Sequence, residues 1–322
     1  MVILKNIKNK LSIITLSLFI FTVFRELYFA IIYLYNICLS RTNKVAMMKL
    51  LDVKKETRIV LEDFEEEKNK IKYWIKSTLV KGLKIKSFDK NILFAEWFIN
   101  NSNKWVIILH GYGANGRLMY YVARKFYKKG YNVLLPDLRG HGISGGNYVG
   151  MGWHDRLDII EWIKEIIKID KNAKIVLYGV SMGASTMLMA SGEKLPKNVK
   201  CIISDCAFTS AYDVFKHQLK KSKKVPVLPF LFIMNIMCKI KNGYSLRQAS
   251  AIKQIRKNKL PIFFIHGAID DFVPTYMVFD LYKEANCEKE LMVVNNAGHT
   301  VSEMVERKIY WRRVSLFLDK YC

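Results

Sequence analysis

The sequence predicts an α/β protein built on a mostly parallel, doubly wound sheet. From residue 83 onward, short apolar runs rich in β-forming residues alternate with amphipathic helical segments. Glycine-rich turns follow several of these runs, and 51% of the 322 residues are hydrophobic, so the chain has enough apolar side chains for a large core. Such alternation is typical of parallel strands joined by helices that cover both faces of the sheet.

An apolar segment precedes this pattern and follows three lysines at the N-terminus. Its two runs are Leu11–Phe24 and Leu27–Leu39. A continuous helix over residues 11–33 would be about 34 Å long, which is enough to cross a bilayer core. A cleaved signal peptide and an interfacial helix are the alternatives, but no small-x-small cleavage motif follows the first run. We therefore expect residues 1–45 to be an uncleaved membrane anchor.

Residues 46–80 predict a linker and a first helix that packs on the domain. An acidic stretch at 62–67 leads into lysines, and Tyr73-Trp74-Ile75 supplies apolar surface. The α/β domain then occupies 81–322. It opens with a predicted hairpin of two strands, Leu83–Phe88 and Ile92–Ile99.

The elements that follow alternate in type. Helix-period spacing of apolar residues is clearest in His154–Ile169. The other predicted helices are Arg117–Lys129 and Glu303–Lys320. The predicted strands are Trp105–Leu109, Asn132–Leu135, Ile175–Tyr178, Val199–Ser204, Pro261–Ile265 and Glu290–Val294.

One segment, at about 207–259, interrupts the alternation and is interpreted as a helical cap. Residues 216–259 contain twelve Lys or Arg and no Asp or Glu, and Val225–Met237 is almost wholly apolar. The cap is either a helical cover with a solvated basic face or a lid that contacts apolar substrate or lipid. Because half of the chain's net charge of +24 lies in this segment, it favours an anionic membrane surface. No nucleic-acid-binding motif is present, and nucleic acid is not expected as a partner.

The candidate nucleophile lies in the run KIVLYGVSMGA, residues 174–184. Its centre, GVSMG, fits G-x-S-x-G, and it lies between a predicted strand and a predicted helix, as a nucleophile elbow requires. A side chain at Gly179 or Gly183 would collide with the neighbouring strand or helix. The alternative is an ordinary glycine-rich turn. If the motif is a nucleophile elbow, Ser181 is the nucleophile.

A histidine and a carboxylate are placed to activate this serine. His299 follows the strand LMVV in a loop before the final helix, where a triad base belongs in chain order. Asp270 and Asp271 follow the strand PIFFI, and Asp205 also ends a strand, so the residues alone leave three candidate acids. A serine hydroxyl is a poor nucleophile until a base removes its proton.

The turn His110-Gly111-Tyr112-Gly113 also follows a strand. The N–H groups of Tyr112 and Met182 are the candidate oxyanion donors, with an ordinary strand-to-helix turn as the alternative. His141 and His266 are expected to have structural roles.

The sequence indicates no cofactor and no metal. Its six cysteines form no C-x-x-C pair, and no cysteine–histidine cluster has zinc spacing.

Five motifs together resemble the α/β-hydrolase superfamily over residues 80–320. They are HGYG from His110, DLRGHGIS from Asp137, GVSMG from Gly179, HGAIDDFVP from His266 and AGHT from Ala297. The chain looks like bacterial membrane-anchored α/β hydrolases near the serine aminopeptidase and monoacylglycerol lipase branch. In that family the acid follows His-Gly after two intervening residues, which implies Asp270. The elbow begins Gly-Val-Ser where many lipase-like relatives have Gly-His-Ser, so no lipase specificity is assigned.

The resemblance implies an α/β-hydrolase fold and a serine hydrolase with a triad of Ser181, Asp270 and His299. We expect an apolar small-molecule acyl substrate, with a carboxylic ester favoured over a peptide. The alternatives are a peptidase or acyltransferase on the same fold and a non-catalytic, membrane-tethered binding protein. We expect single-pass insertion in the cell membrane through residues 11–33, with the basic cap as a further membrane contact and the domain outside the cytoplasm.

Overall fold

A computed structural model of the protein describes residues 2–41, 61–223 and 226–322. Eight strands form one sheet: β1 (Val80–Lys86), β2 (Ile92–Phe98), β3 (Lys104–Leu109), β4 (Asn132–Pro136), β5 (Lys174–Val180), β6 (Val199–Asp205), β7 (Ile262–Gly267) and β8 (Lys289–Val294). Their spatial order is β1-β2-β4-β3-β5-β6-β7-β8. Only the β1–β2 and β2–β4 pairs of this sheet are antiparallel, and β3 to β8 run parallel. The predicted parallel sheet and its opening hairpin are confirmed.

Helices cover both faces of the sheet. The helices of the described residues are α1 (Val2–Leu39), α2 (Leu61–Ser77), α3 (Tyr120–Lys128), α4 (Asp155–Ile169), α5 (Met182–Ala190), α6 (Ala211–Ser222), α7 (Val227–Asn242), α8 (Ala251–Ile255), α9 (Tyr276–Glu284), α10 (Ser302–Val305) and α11 (Arg307–Tyr321). A short 3₁₀ helix, Gly116–Met119, precedes α3.

The core lies in two layers because the central strands are buried on both faces. One layer contains α4, α5, α9 and the cap helices, and the other contains α2, α3 and α11. All nine residues of α5 are buried. This helix begins directly after β5, so the strand–helix junction at Ser181 is held inside the core.

The structure differs from prediction at the C-terminus, where the expected helix Glu303–Lys320 is two helices. α10 ends at Val305 and α11 begins at Arg307. Glu306, between them, has φ −124° and ψ 46°, outside the helical region. No Pro or Gly marks the break, and each residue around it is compatible with a helix, so the sequence pattern does not report it.

The described part of the N-terminal segments contacts the α/β domain. Of residues 46–80, the structure describes the helix α2, and residues 42–60 lie outside the described ranges. The C-terminal end of α1 is part of the domain, because Tyr35, Ile37, Cys38 and Leu39 are buried in the main core cluster. The last residues of the expected anchor, 1–45, thus pack in the core of the α/β domain.

Candidate active site

Ser181 lies at the sharp turn between β5 and α5. Its φ of 55° and ψ of −118° are unusual for a non-glycine residue. A Cβ on Gly179 would come within 2.4 Å of the Gly183 carbonyl carbon, and one on Gly183 within 2.4 Å of the Leu109 carbonyl oxygen. The predicted steric role of both glycines is confirmed. Backbone strain of this kind is retained mainly at functional sites.

Three side chains from separate loops meet at this turn. Ser181 Oγ lies 2.9 Å from His299 Nε2. His299 Nδ1 lies 2.7 Å from Asp270 Oδ2. The loops follow β5, β7 and β8, whose carboxyl ends lie at one edge of the sheet. The hydroxyl thus has a base at hydrogen-bonding distance, and the base has a carboxylate behind it, as an activated serine requires.

Asp270 is held as a carboxylate by the donors around it. Its side chain is fully buried. Oδ1 accepts the backbone N–H groups of Phe272 at 3.0 Å and Val273 at 2.8 Å, and Oδ2 lies 3.2 Å from His266 Nε2. Burial alone would raise the pKa of Asp270, but His299 and His266 hold it well below its usual range. The resulting negative charge favours a proton on His299 Nδ1 and leaves Nε2 free to accept the serine proton.

The other two candidate acids lie elsewhere. Asp271 is about half exposed and forms an ion pair with Lys221. Asp205 is buried, and its Oδ2 accepts a hydrogen bond from the Tyr310 hydroxyl at 2.9 Å. Among the contacts of the described residues, only Asp270 of these three carboxylates is hydrogen-bonded to His299.

The two residues expected to supply oxyanion donors border the serine. Met182 is the first residue of α5, and the first N–H groups of a helix have no intrahelical acceptor. The loop at 110–113 passes beside the serine, since a Cβ on Gly111 would lie 3.4 Å from Ser181 Cβ. Tyr112 and Met182 line the same pocket as Ser181. The sequence-predicted site residues therefore come together at one place.

His110 and His141 tie this loop to the next one. His110 Nε2 accepts the Leu138 N–H at 3.0 Å, and His141 Nε2 accepts the Gly113 N–H at 3.2 Å. Both rings are fully buried. Their contacts agree with the structural role expected of His141. His266, also expected to be structural, additionally approaches Asp270, a contact that a motif does not reveal.

Ser181 lines an apolar pocket that is partly open to solvent. The cap contributes Val214, Phe215 and Gln218 from α6 to its wall. Its remaining lining residues are Tyr112, Met151, Met182, Phe208, Phe272 and Val273. None of these described lining residues is charged, and the Gln218 amide is occupied by the Phe272 carbonyl at 2.6 Å. The pocket suits an apolar group next to the serine.

Cys206 lies beside the histidine–aspartate pair. Cys206, Asp270 and His299 each offer one possible metal-ligand atom, and these three atoms lie within 4.8 Å of one another. This is the one such group among the described residues. However, Asp270 and His299 already bond to each other, and burial raises the pKa of the Cys206 thiol well above its ordinary value. A thiolate, the form that binds metal, is therefore disfavoured here.

The end of α1 contacts the same loops, which sequence reasoning missed. The Tyr112 hydroxyl donates to the Cys38 carbonyl at 3.0 Å. The Arg41 guanidinium donates to the carbonyls of Ser144 at 2.5 Å and Gly142 at 2.9 Å. These bonds join residues that are 74 to 103 positions apart in the chain, so no local pattern marks them.

Comparison with known proteins agrees with this architecture. The sequence model of the α/β-hydrolase fold family matches residues 104–229. The uncharacterized protein YqkD of Bacillus subtilis is 31% identical over 216 residues, which cover 66% of this chain and 70% of that protein. A carboxylesterase of the same species is 21% identical over 247 residues, 68% of this chain and 93% of that protein.

A solved structure shows the same fold. An esterase from Pyrococcus furiosus superposes with a TM-score of 0.63 at 28% sequence identity. The match covers 76% of this chain and 94% of the esterase.

Proposed function

The chain belongs to the α/β-hydrolase family, and on that premise we propose that it is a serine hydrolase that cleaves carboxylic esters. The observation that carries the proposal is the continuous line of contacts from Ser181 to His299 at 2.9 Å and from His299 to Asp270 at 2.7 Å. A serine hydroxyl, an imidazole and a buried carboxylate in this order are the parts of a triad, which is recognised by geometry and roles.

In the proposed mechanism Ser181 Oγ attacks the acyl carbonyl while His299 Nε2 takes its proton. Asp270 stays ionised, holds the Nδ1–H tautomer and stabilises the imidazolium. His299 then protonates the leaving alcohol as the carbon–oxygen bond breaks. Water, deprotonated by the same histidine, attacks the acyl-enzyme and releases the carboxylic acid, and the proton returns to Ser181.

In this mechanism the N–H groups of Tyr112 and Met182 donate hydrogen bonds to the acyl oxygen and stabilise the negative charge that develops on it. Each such donor typically contributes about 2.7–4 kcal/mol to the stabilisation of a developing oxyanion. The Met182 N–H lies at the start of α5, where the helix dipole adds to the stabilisation of a negative charge.

An ester is proposed as substrate on the chemistry of the pocket. Its lining is apolar, and no charged side chain among the described lining residues would recognise the terminus of a peptide. Two similar proteins are described as a carboxylesterase and an esterase. An acyl group with an apolar chain is therefore the substrate that the wall of the pocket favours.

We also propose that α1 anchors the enzyme in the cell membrane in a single pass, with the domain outside the cytoplasm. One helix near the N-terminus, with the span Ile13–Leu39, is long and apolar enough to cross a membrane by length and composition. Its mean hydropathy is 1.7, and its apolar side chains between Ile13 and Tyr33 are largely exposed. Exposed side chains of this kind are stable in lipid rather than in water.

Labelling of the full-length chain with a fluorophosphonate probe tests the hydrolase proposal. The full chain in detergent is needed because residues 35–39 are packed in the core. We expect labelling of wild type, its loss in Ser181→Ala, and its retention in Ser191→Ala, a matched control whose hydroxyl bonds within its own helix. A p-nitrophenyl ester series of increasing acyl length then measures specificity. A folded wild-type protein that is not labelled would show the proposed mechanism to be wrong.

A further inference from the structure

Helix α7 of the cap is apolar on two opposite faces. One face is buried in the core cluster and contains Phe230, Leu231, Met234 and Cys238. The other face carries four large apolar side chains at four-residue spacing, which are 42–77% exposed: Leu228, Phe232, Ile236 and Ile240. A helix on the surface of a soluble domain normally has polar residues on its outer face. The outer face of α7, defined by these four residues, therefore needs an apolar or interfacial partner.

The position of this face relative to α1 identifies the partner. The Tyr35 hydroxyl donates to Asn242 Oδ1 at 2.5 Å, and the Lys241 ammonium lies 4.6 Å from the centre of the Tyr35 ring. Tyr35 is 6% exposed, whereas Tyr33, one half-turn earlier, is 64% exposed. The C-terminal end of α7 thus meets α1 at the level where α1 leaves its exposed stretch and enters the domain.

This level coincides with the edge of a bilayer if α1 spans it. The helix rises about 30 Å between Ile13 and Tyr33, which is the thickness of the hydrocarbon core. We propose that the outer face of α7 lies in the lipid–water interface of the bilayer that holds α1, with phospholipid as its partner. The inference rests on the membrane anchor proposed above and is independent of the reaction at Ser181.

The cap that carries this face is basic, which fits phospholipid headgroups. Residues 216–259 carry twelve Lys or Arg and no acidic residue. Lys239 and Lys241 are exposed on either side of Ile240. Lys239 Nζ lies 3.4 Å from the Gly243 carbonyl oxygen and the Lys241 ammonium lies over the Tyr35 ring, so both charges are at the end of α7 that meets α1. An apolar face bordered by basic residues is the composition of interfacial helices, and anionic lipids strengthen such binding.

The surface lies close to the pocket. α7 packs on α6, and α6 contributes Val214 and Phe215 to the pocket wall. Helices α7 and α6 therefore lie between the proposed lipid contact and the site at Ser181.

A tryptophan quenching experiment on the full chain tests the surface. Phe232→Trp and a matched control, Phe279→Trp on α9, are each reconstituted in phosphatidylcholine–phosphatidylglycerol vesicles; both native phenylalanines are exposed, at 67% and 50%. Emission of the six native tryptophans is subtracted with wild type. We expect the added emission of Phe232→Trp to be blue-shifted and mostly lost with lipids brominated near the headgroup. The emission added by Phe279→Trp should stay unquenched.

Two measurements in the same vesicles separate this inference from the proposed function. Resistance to alkaline extraction reports the anchor, and fluorophosphonate labelling of Ser181 reports the reactive serine. If the chain is anchored but the emission of Phe232→Trp is not quenched, the proposed lipid contact of α7 is wrong, even if Ser181 is labelled. A dimer in nanodiscs would then assign the outer face of α7 to a second copy of the chain. Quenching confined to Phe232→Trp supports the surface even if Ser181 is not labelled. Extraction of the chain by alkali overturns the surface together with the anchor.

Discussion

The ends of strands β6 and β7 each carry a buried aspartate, and their surroundings are opposite. Asp270, after β7, has two backbone N–H donors on one oxygen and two histidines on the other. Asp205, at the end of β6, accepts one bond from the Tyr310 hydroxyl, and its Oδ1 has no partner among the described residues. Burial raises the pKa of Asp205 to about 6, whereas the histidines hold that of Asp270 below its usual range.

The comparison indicates that the donors around a buried carboxyl group, rather than its burial alone, set the direction of its pKa shift at these strand ends. The two groups also act oppositely on stability. The lowered pKa of Asp270 contributes stability above its unfolded pKa, and this is lost as pH falls through its folded pKa. The raised pKa of Asp205 contributes stability that is fully present below the unfolded pKa and is lost as pH rises through about 6.

The largest expected effect separates the two aspartates by activity. Asp270→Asn should lower kcat for a p-nitrophenyl ester by about 10⁴-fold, because an amide stabilises the wrong His299 tautomer and leaves the imidazolium uncompensated. Asp205→Asn is the matched control, with the same substitution at the neighbouring strand end. Its kcat should stay within a few-fold of wild type. Equal losses in both variants would show that the assignment of the acid is wrong.

The second prediction concerns the pH dependence of stability at Asp205. Near neutral pH the buried carboxylate is ionised at a cost, which Asp205→Asn removes. The variant should gain up to about 3 kcal/mol over wild type at pH 8, and the gain should shrink as pH falls below 6. Melting temperatures of the full chain in one detergent at pH 5 and pH 8 measure this. A stability difference that is the same at both pH values would contradict the raised pKa.

A smaller effect is expected when Asp205 loses its donor. Tyr310→Phe removes the hydroxyl that donates a hydrogen bond to Asp205 Oδ2. The same hydroxyl also lies 2.7 Å from the Tyr178 hydroxyl, and that contact is lost too. We expect a loss of about 1–2 kcal/mol at pH 8, where the carboxylate is charged, and a smaller loss at pH 5. In the Asp205→Asn background, Tyr310→Phe should cost the same stability at both pH values. If the pH dependence persists there, the effect comes from the contact with Tyr178 instead.

The smallest effect is expected at Asp271, which sequence reasoning left as an alternative acid. Its side chain is 53% exposed and pairs with Lys221 in solvent. Asp271→Asn should change stability by less than about 1 kcal/mol and leave kcat unaltered. Steady-state kinetics of Asp271→Asn and Asp270→Asn, measured side by side, test this. A large loss of kcat in Asp271→Asn would show that Asp271, and not Asp270, is the acid.

Much of the sheet and the turn at Ser181 were predictable from sequence because local rules govern them. Apolar runs identify buried strands, and the glycines at 179 and 183 are required wherever a strand meets a helix this closely. Other features follow from side chains that meet across the fold. The break at Glu306, the His266–Asp270 contact and the bond between Tyr112 and Cys38 have no signature in their own segments.

The sequence by itself determined the class of sheet, the strained turn that carries Ser181, and the three strand ends at which acid, base and nucleophile candidates lie. These depend on the period of hydrophobicity and on steric exclusion over a few residues. Only the tertiary structure decided which aspartate bonds to His299 and where α1 enters the domain. Both depend on contacts between residues far apart in the chain, whose energies are set by the donors and apolar surfaces that folding brings together.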